Sequence, residues 1–284
     1  INNAPSSDNS YISPGTRDTE QENLKNETVY AAELGYLIQT KSFKIHSTLY
    51  YIQSFNGMDI LSFYHDTYNS FVNYTISGIG QTHLGYEFGI EAKLNNHFSI
   101  LSAATNGQHF FNTRQYAIVT ADNNAAELER AIIYAKNYPS INSPQAAYSV
   151  SLNTRSNNQW FGSISATVFD KQYLGWNPIR RTAAAIYPID PLSEKGQQLL
   201  QVERMPVQSL INFFLSHSFK WGRKKQAQFS YSISINNLLN QQDIILAAYE
   251  QLRFDFDNKD PNKFPPKYLH AIGRNFLLSI HYSF

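Results

Sequence analysis

The stretch YLGWNPIRR places Tyr173, Trp176, Arg180 and Arg181 within nine residues. Aromatic faces beside guanidinium groups suit an anionic, planar or sugar-like ligand, held by stacking and by bidentate hydrogen bonds. The same residues also fit ordinary loop packing, with the arginines paired to carboxylates. A second stretch, RFDFDNKD, gathers Asp255, Asp257, Asn258 and Asp260, hard oxygen donors of the kind calcium accepts. It lacks the glycine and the distal glutamate of a full calcium loop, so Asp255, Asp257 and Asp260 are weak metal candidates, and a solvated loop paired to Arg253 and Lys259 is the simpler expectation. The eight histidines, among them His46, His83 and His281, show neither an HExxH spacing nor a Ser/His/Asp signature. Glu87 and Glu91, four apart on an extended strand, stand about 13 Å apart at ~3.3 Å per residue, too far to flank one bond as acid and base. No catalytic constellation emerges, the chain reads as a non-enzyme, and no cofactor is implied.

The elements that must position these residues are strands. Among 284 residues there are 19 Tyr, 19 Phe and 3 Trp, yet mean hydropathy is −0.40, a combination that suits a surface meeting two solvents. A net charge of +1 without clustered Lys and Arg sets nucleic acid aside. The absence of Cys removes disulfides, thiol nucleophiles and cysteine-held metals. No apolar run approaches ~18 residues, which excludes a transmembrane helix.

Period-two alternation predicts about nine strands, at 27–39, 43–64, 70–94, 98–111, 147–155, 159–171, 207–219, 226–236 and 274–284. The clearest sets Leu84, Tyr86, Phe88, Ile90, Ala92 and Leu94 against His83, Gly85, Glu87, Gly89, Glu91 and Lys93. Several exceed the usual five or six residues and reach the nine to eleven that a tilted membrane strand needs. Connections alternate in length: short turns at 41–42, 95–97, 156–158 and 221–225, long segments near 112–146, 172–206 and 237–273. Short turns on one side and long loops on the other describe a transmembrane β-barrel with periplasmic turns and extracellular loops. On this reading residues 1–26 form an extracellular loop entering the barrel and 27–284 form its wall. An odd number of strands would bring the first and last together in parallel, so a larger, even-numbered barrel is expected.

Two loop segments read as helices. In NNAAELERAIIYAKN, Asn124 is a plausible cap, with Leu128, Ile132 and Ala135 on one face; such a helix would pack on neighbouring loops or dock a surface lipoprotein. In DPLSEKGQQLL, Asp190 is expected to cap and Pro191 to occupy the first turn.

Four pieces, in order, carry a family resemblance: APSSDNSYISPGTRD (4–18), FVNYTISGIGQTHLGYEFGIEAKL (71–94), SINNLLNQQD (234–243) and AYEQLRFDFDNKDPNKFPPKYLHAIGRNFLLSIHYSF (248–284). They resemble the C-terminal part of the barrel of TonB-dependent outer-membrane receptors, over nearly the whole chain. The plug and the TonB box of that family are not in this sequence. The resemblance implies an all-β, antiparallel barrel of about 22 strands in a Gram-negative outer membrane. It implies active import of a scarce nutrient, whether a siderophore, haem, cobalamin, a glycan or a peptide. The implied partners are outer-membrane lipid, the remaining N-terminal barrel and plug, TonB through the plug segment, and a surface lipoprotein. In the final strand, Phe276, Ile280, Tyr282 and Phe284 resemble the C-terminal assembly signal read by strand pairing; they also fit lipid-facing and aromatic-belt positions. Two rival readings are a structural or docking barrel subunit of a larger outer-membrane assembly, and a soluble carbohydrate-binding β-sandwich.

Overall fold

Alternation along each strand becomes a sheet with two unlike faces. The structure, a computed structural model, describes the chain apart from residues 7, 15, 16, 18, 23, 124, 125, 142 and 222–226. The strands are β1 (Asn2–Asn3), β2 (Glu27–Gln39), β3 (Phe43–His65), β4 (Ser70–Lys93), β5 (Phe98–Phe111), β6 (Gln115–Ala121), β7 (Glu127–Ile133), β8 (Ala146–Arg155), β9 (Trp160–Asp170), β10 (Gln208–Trp221), β11 (Ala227–Asn236), β12 (Ile245–Tyr249), β13 (Lys267–His270) and β14 (Asn275–Ser283). The nine strands expected from alternation are present to within two residues at each end. The fold is all-β and its main sheet is antiparallel and open, in the order β1-β2-β3-β4-β5-β8-β9-β10-β11-β14, with the β6–β7 hairpin attached to β4. Because each long strand pairs antiparallel with the next, β2 and β14, the first and ninth of them, run in the same direction.

The turns at one end are tight for local reasons. Thr40 Oγ1 accepts from the backbone N–H groups of Ser42 and Phe43, and Asn95 Oδ1 accepts from those of His97 and Phe98. Gln159 closes the β8–β9 turn at a φ of +61°. The turn expected at 221–225 falls mostly outside the described residues. At the opposite end the long connections carry structure of their own.

Directly paired residues share a face, so the register identifies both surfaces. Ile38, Ile45, Ile90, Ser102 and Val150 line up, and so do Leu152, Ile164, Phe213, Ile235 and Phe276. This face also carries Leu34, Tyr36, Leu49, Tyr86, Phe88, Leu278, Ile280 and Tyr282, all exposed. Toward the tight turns it is aromatic: Trp160 stacks on His217 at 4.2 Å, Phe219 lies 5.2 Å from Phe229, and Tyr282 lies 5.9 Å from Phe284. The opposite face is polar, with His46, Glu87, Thr105, Ser149, Ser165, Ser230, Ser232 and His281. Among the described residues no second sheet covers the apolar face; the small β12–β13 sheet meets Leu210, Asn236 and Asn275 on the polar face.

Higher up, β3 and β4 reverse this arrangement. Between the pairs Ser54–Gln81 and Gly57–Ile79, β3 has one extra residue; between Gly57–Ile79 and Asp59–Ile76, β4 has one. Asn56 and Gly78 lie at these irregularities with φ of +59° and +69°. One extra residue in each strand turns its side-chain parity over. Leu84, Tyr86 and Phe88 therefore stand on the bare face, whereas Val72, Tyr74 and Ile76, also even-numbered, are 0%, 2% and 5% exposed in a core with Phe111, Val119, Ile133, Trp176, Ile179, Leu199 and Phe254. This core is a cap built from the long connections. The opposite side of upper β4 is covered by the N-terminal residues, where Gln21 donates to Thr75 and Asn73 and Ser13 both donate to Asp122.

Two expectations need correction. Residues 127–133 form β7, not a helix, because all of them except Leu128, which sits at a register shift, pair across to β6, which in turn pairs with upper β4; Ile133 and Ala135 enter the core and Ile132 stays exposed. Asn124 lies outside the described residues. The second helix is present as α2 (Glu194–Leu200), following α1 (Ala183–Ile186), but its cap is Ser193, whose hydroxyl accepts from Gly196. Asp190 instead accepts from Leu192 in the turn before it.

Candidate functional site

The 171–206 connection crosses the polar face, and its sequence explains its shape. Asn177 caps a 3-10 turn, Pro178–Arg181, by accepting from the Ile179 N–H at 2.9 Å, and proline supplies the fixed φ at its start. The Asn177 amide also donates to the carbonyls of Gln251 and Arg253, tying this connection to the one at 237–273. Trp176 packs edge-on against Phe111 at 5.3 Å and Tyr138 at 5.7 Å. Tyr138 donates to the carbonyl of Leu200.

The two guanidinium groups turn inward. Arg181, fully buried, pairs with both oxygens of Glu250, and the backbone N–H of Asn177 donates to the same carboxylate at 2.6 Å. Arg181 also donates to the carbonyls of Asn177 and Gln201 and lies over the Tyr138 ring. Arg180 reaches Glu250 at 3.3 Å and the Gln198 carbonyl at 3.4 Å. Burial pulls the Arg180 guanidinium below its usual pKa, Glu250 counters this, and Arg181 adds to it. The four sequence candidates thus separate. Trp176 and Arg181 are committed to the cap interior, Arg180 lines a small cavity, and Tyr173 lines a cleft of about 610 Å³ between wall and cap with Gly107, His109, Tyr138, Gln145 and Lys171. The partner that sequence reasoning missed is Glu250, and nothing in its own neighbours, AAYEQ, marks it.

The acidic stretch does not gather. Asp255 is buried and pairs with Lys263 at 3.0 Å, whose hydrogen bond holds that carboxyl below its usual pKa. Asp260 accepts from the Asn262 backbone. Among the described residues no three Asp, Glu or His side chains group as a metal requires. Arg253 pairs with Asp66 at the tip of β3–β4, not with the acidic residues beside it in sequence, and holds that carboxyl low. Nearby, His65 stacks on Phe256 at 5.6 Å, and burial lowers its pKa. Tyr68, donating to Glu129, is pushed up to about 12 by burial and by that carboxylate.

His46, His83 and His281 all lie on the polar face, and His83 meets His109 at 4.9 Å. Phe276, Ile280, Tyr282 and Phe284 share the apolar face of the last strand and are 64%, 65%, 55% and 98% exposed. No protein-family model matches the chain, and no curated protein matches it.

Proposed function

We propose that this chain supplies part of the wall and the extracellular cap of an integral outer-membrane β-barrel that imports a scarce nutrient by TonB-dependent transport. The observation that carries this reading is the bare apolar face across nine antiparallel strands. Leaving Leu, Ile, Val or Phe side chains in water forgoes ~1.5–3 kcal/mol each, and soluble monomers seldom expose apolar patches beyond a few hundred Å². Lipid is the solvent that fits such a face, and the aromatic residues toward the tight turns fit its interface. The polar face then lines the lumen and the cap closes over it.

Closing β14 directly on β2 would make a parallel pair, so an odd number of further strands completes an antiparallel barrel of about 22. In this reading those strands and a plug make up the rest of the transporter, with TonB acting through the plug. The final strand, with Phe276, Ile280, Tyr282 and Phe284, is the element that insertion machinery reads by edge pairing. Cargo meets the protein at the Tyr173 cleft.

Membrane residence is tested by extraction and by heat-dependent gel mobility: the protein should leave membranes only with detergent and migrate faster before boiling. Release by salt alone would overturn the barrel reading. Removal of Phe284 should abolish insertion. Growth that depends on the imported nutrient should fail without TonB, and survival of that growth would sink the transport reading while leaving the barrel standing.

A further inference from the structure

Beside the β12–β13 sheet the polar face of the wall turns apolar. Phe169 pairs across to Gln208, and Leu210 follows two residues along β10 on the same side. With Pro144, Ile244, Ile245 and Ala271 they line a cavity of about 490 Å³. These six apolar residues are only half-buried, so the fold leaves them without full cover. A space of this size, mostly apolar and carrying a few placed polar groups, is what a small-molecule site requires.

Among the described residues no ionisable side chain lines this cavity. The charged residues beside it in the chain, Asp243 and Arg274, are exposed and stand outside the lining. Its polar side chains are mainly amides, and two of them have a fixed orientation. The backbone N–H of Ile245 donates to Gln208 Oε1 at 2.5 Å, so Gln208 Nε2 is the atom that donates to Gln172 Oε1 at 3.2 Å. Because a backbone N–H can only donate, this sequence of bonds leaves Gln172 Nε2 as a donor with no partner among the described residues, and it is not sealed from solvent. Also in the lining, Asn236 bonds to Asn275 at 2.9 Å, and whichever way these two amides face, one acceptor and one donor remain unused.

We propose that this cavity binds a neutral ligand with an aromatic or branched aliphatic body and an amide group. The body fills the space beside Phe169, Leu210 and Ile245 and removes their apolar surface from water. The ligand carbonyl accepts from Gln172 Nε2, and the Asn236–Asn275 pair takes the ligand N–H. A carboxylate or an ammonium would lose its hydration here and meet no opposite charge, so the site discriminates against both. The cavity is separate from the Tyr173 cleft, and the inference stands whether or not the chain serves transport.

The test is calorimetric titration of the whole chain in lipid nanodiscs at pH 6, with empty nanodiscs as the reference. N-acetylphenylalaninamide should bind saturably. Its anionic analogue N-acetylphenylalanine and its cationic analogue phenylalaninamide should each bind about tenfold more weakly or worse, and N-acetylglycinamide, which keeps the amides without the ring, should not bind. Ala271→Phe, which places a ring in the cavity, should abolish binding. Gln172→Glu keeps the acceptor for Gln208 and replaces the free donor by a negative charge, so it should reverse the order and favour phenylalaninamide; a merely structural role for Gln172 would leave the order unchanged. Should Ala271→Phe fail to fold, Gln172→Glu carries the test, and an unchanged order of the three probes there overturns the proposal. Absence of saturable N-acetylphenylalaninamide binding to the unaltered protein, a charged analogue binding as tightly, or full binding by a folded Ala271→Phe overturns it as well.

Discussion

The lower and upper parts of β3 and β4 are continuous in chain and in hydrogen bonding, yet they bury opposite faces. Below Asn56 and Gly78 the aliphatic and aromatic residues stand on an uncovered surface, with Tyr86 and Phe88 at 44% and 39% exposure. Above them Val72, Tyr74 and Ile76 are sealed within the cap, and the polar residues on the other side are tied down by Gln21 and Asp122. The wall is organised around an uncovered apolar face; the cap is organised with apolar side chains inside and ion pairs within. Two single-residue irregularities separate these regimes, because turning parity over costs only one residue per strand. The two regions should therefore fail differently.

The largest effect is expected in the cap. Glu250→Ala leaves Arg180 and Arg181 without their carboxylate, and breaking a buried pair in this way costs about 3–5 kcal/mol. Limited proteolysis should open the 171–206 and 237–273 connections while heat-dependent mobility of the wall persists; loss of both together would show that the regions are not separable. Next comes the wall. Ile164→Arg, on the bare face, should destabilise the protein in bilayers by ~2–4 kcal/mol, whereas Ser165→Arg, its neighbour on the polar face, should cost little. Equal penalties in vesicle unfolding titrations would break the distinction between faces.

The boundary itself should respond to Gly78→Ala. A Cβ there sits in a left-handed backbone and 3.4 Å from the Tyr116 ring, so a loss of about 1–2 kcal/mol is expected in denaturant titration. A neutral result would place the change of parity elsewhere. The smallest effect is a pH dependence confined to the cap. Burial holds His65 below its ordinary value of ~6.5, so the opened cap takes up the proton first. Stability is full above that pH and declines as pH falls from it toward the lower folded value. Asp66, depressed by Arg253, remains ionised over this interval, and its contribution disappears only at more acid pH. Protection factors at the β3–β4 tips, with the intrinsic exchange rate divided out at each pH, should fall as pH is lowered from 7.5 to 5.5 and lose this dependence in His65→Phe; protection that is insensitive to pH in the unaltered protein would remove His65 from the account.

The wall was legible in the sequence because its signal is local: residues 84–94 alternate without interruption, and the period alone gives strand, length and face. Within the long connections local signals compete. ELERAII has the composition of a helix, yet it becomes β7 because β6 offers partners to all of its residues but Leu128 beside β4, and pairing overrides propensity. In YLGWNPIRR the residue types were right for recognition, but the direction of Arg181 was settled by Glu250, 69 residues away. Arg253 likewise passes over the neighbouring aspartates to meet Asp66, 187 residues back.

From the sequence alone came the all-β class, the strand positions, the alternation of short and long connections and the apolar face of the last strand from Phe276 to Phe284. These follow from neighbouring residues and a period of two. Only the tertiary structure decided that even-numbered residues of β4 point to opposite sides above and below Gly78, and that Glu250 gathers two arginines. Parity depends on a single added residue, and pairing depends on which distant segment the fold brings to a buried charge; neither leaves a periodic mark in the chain.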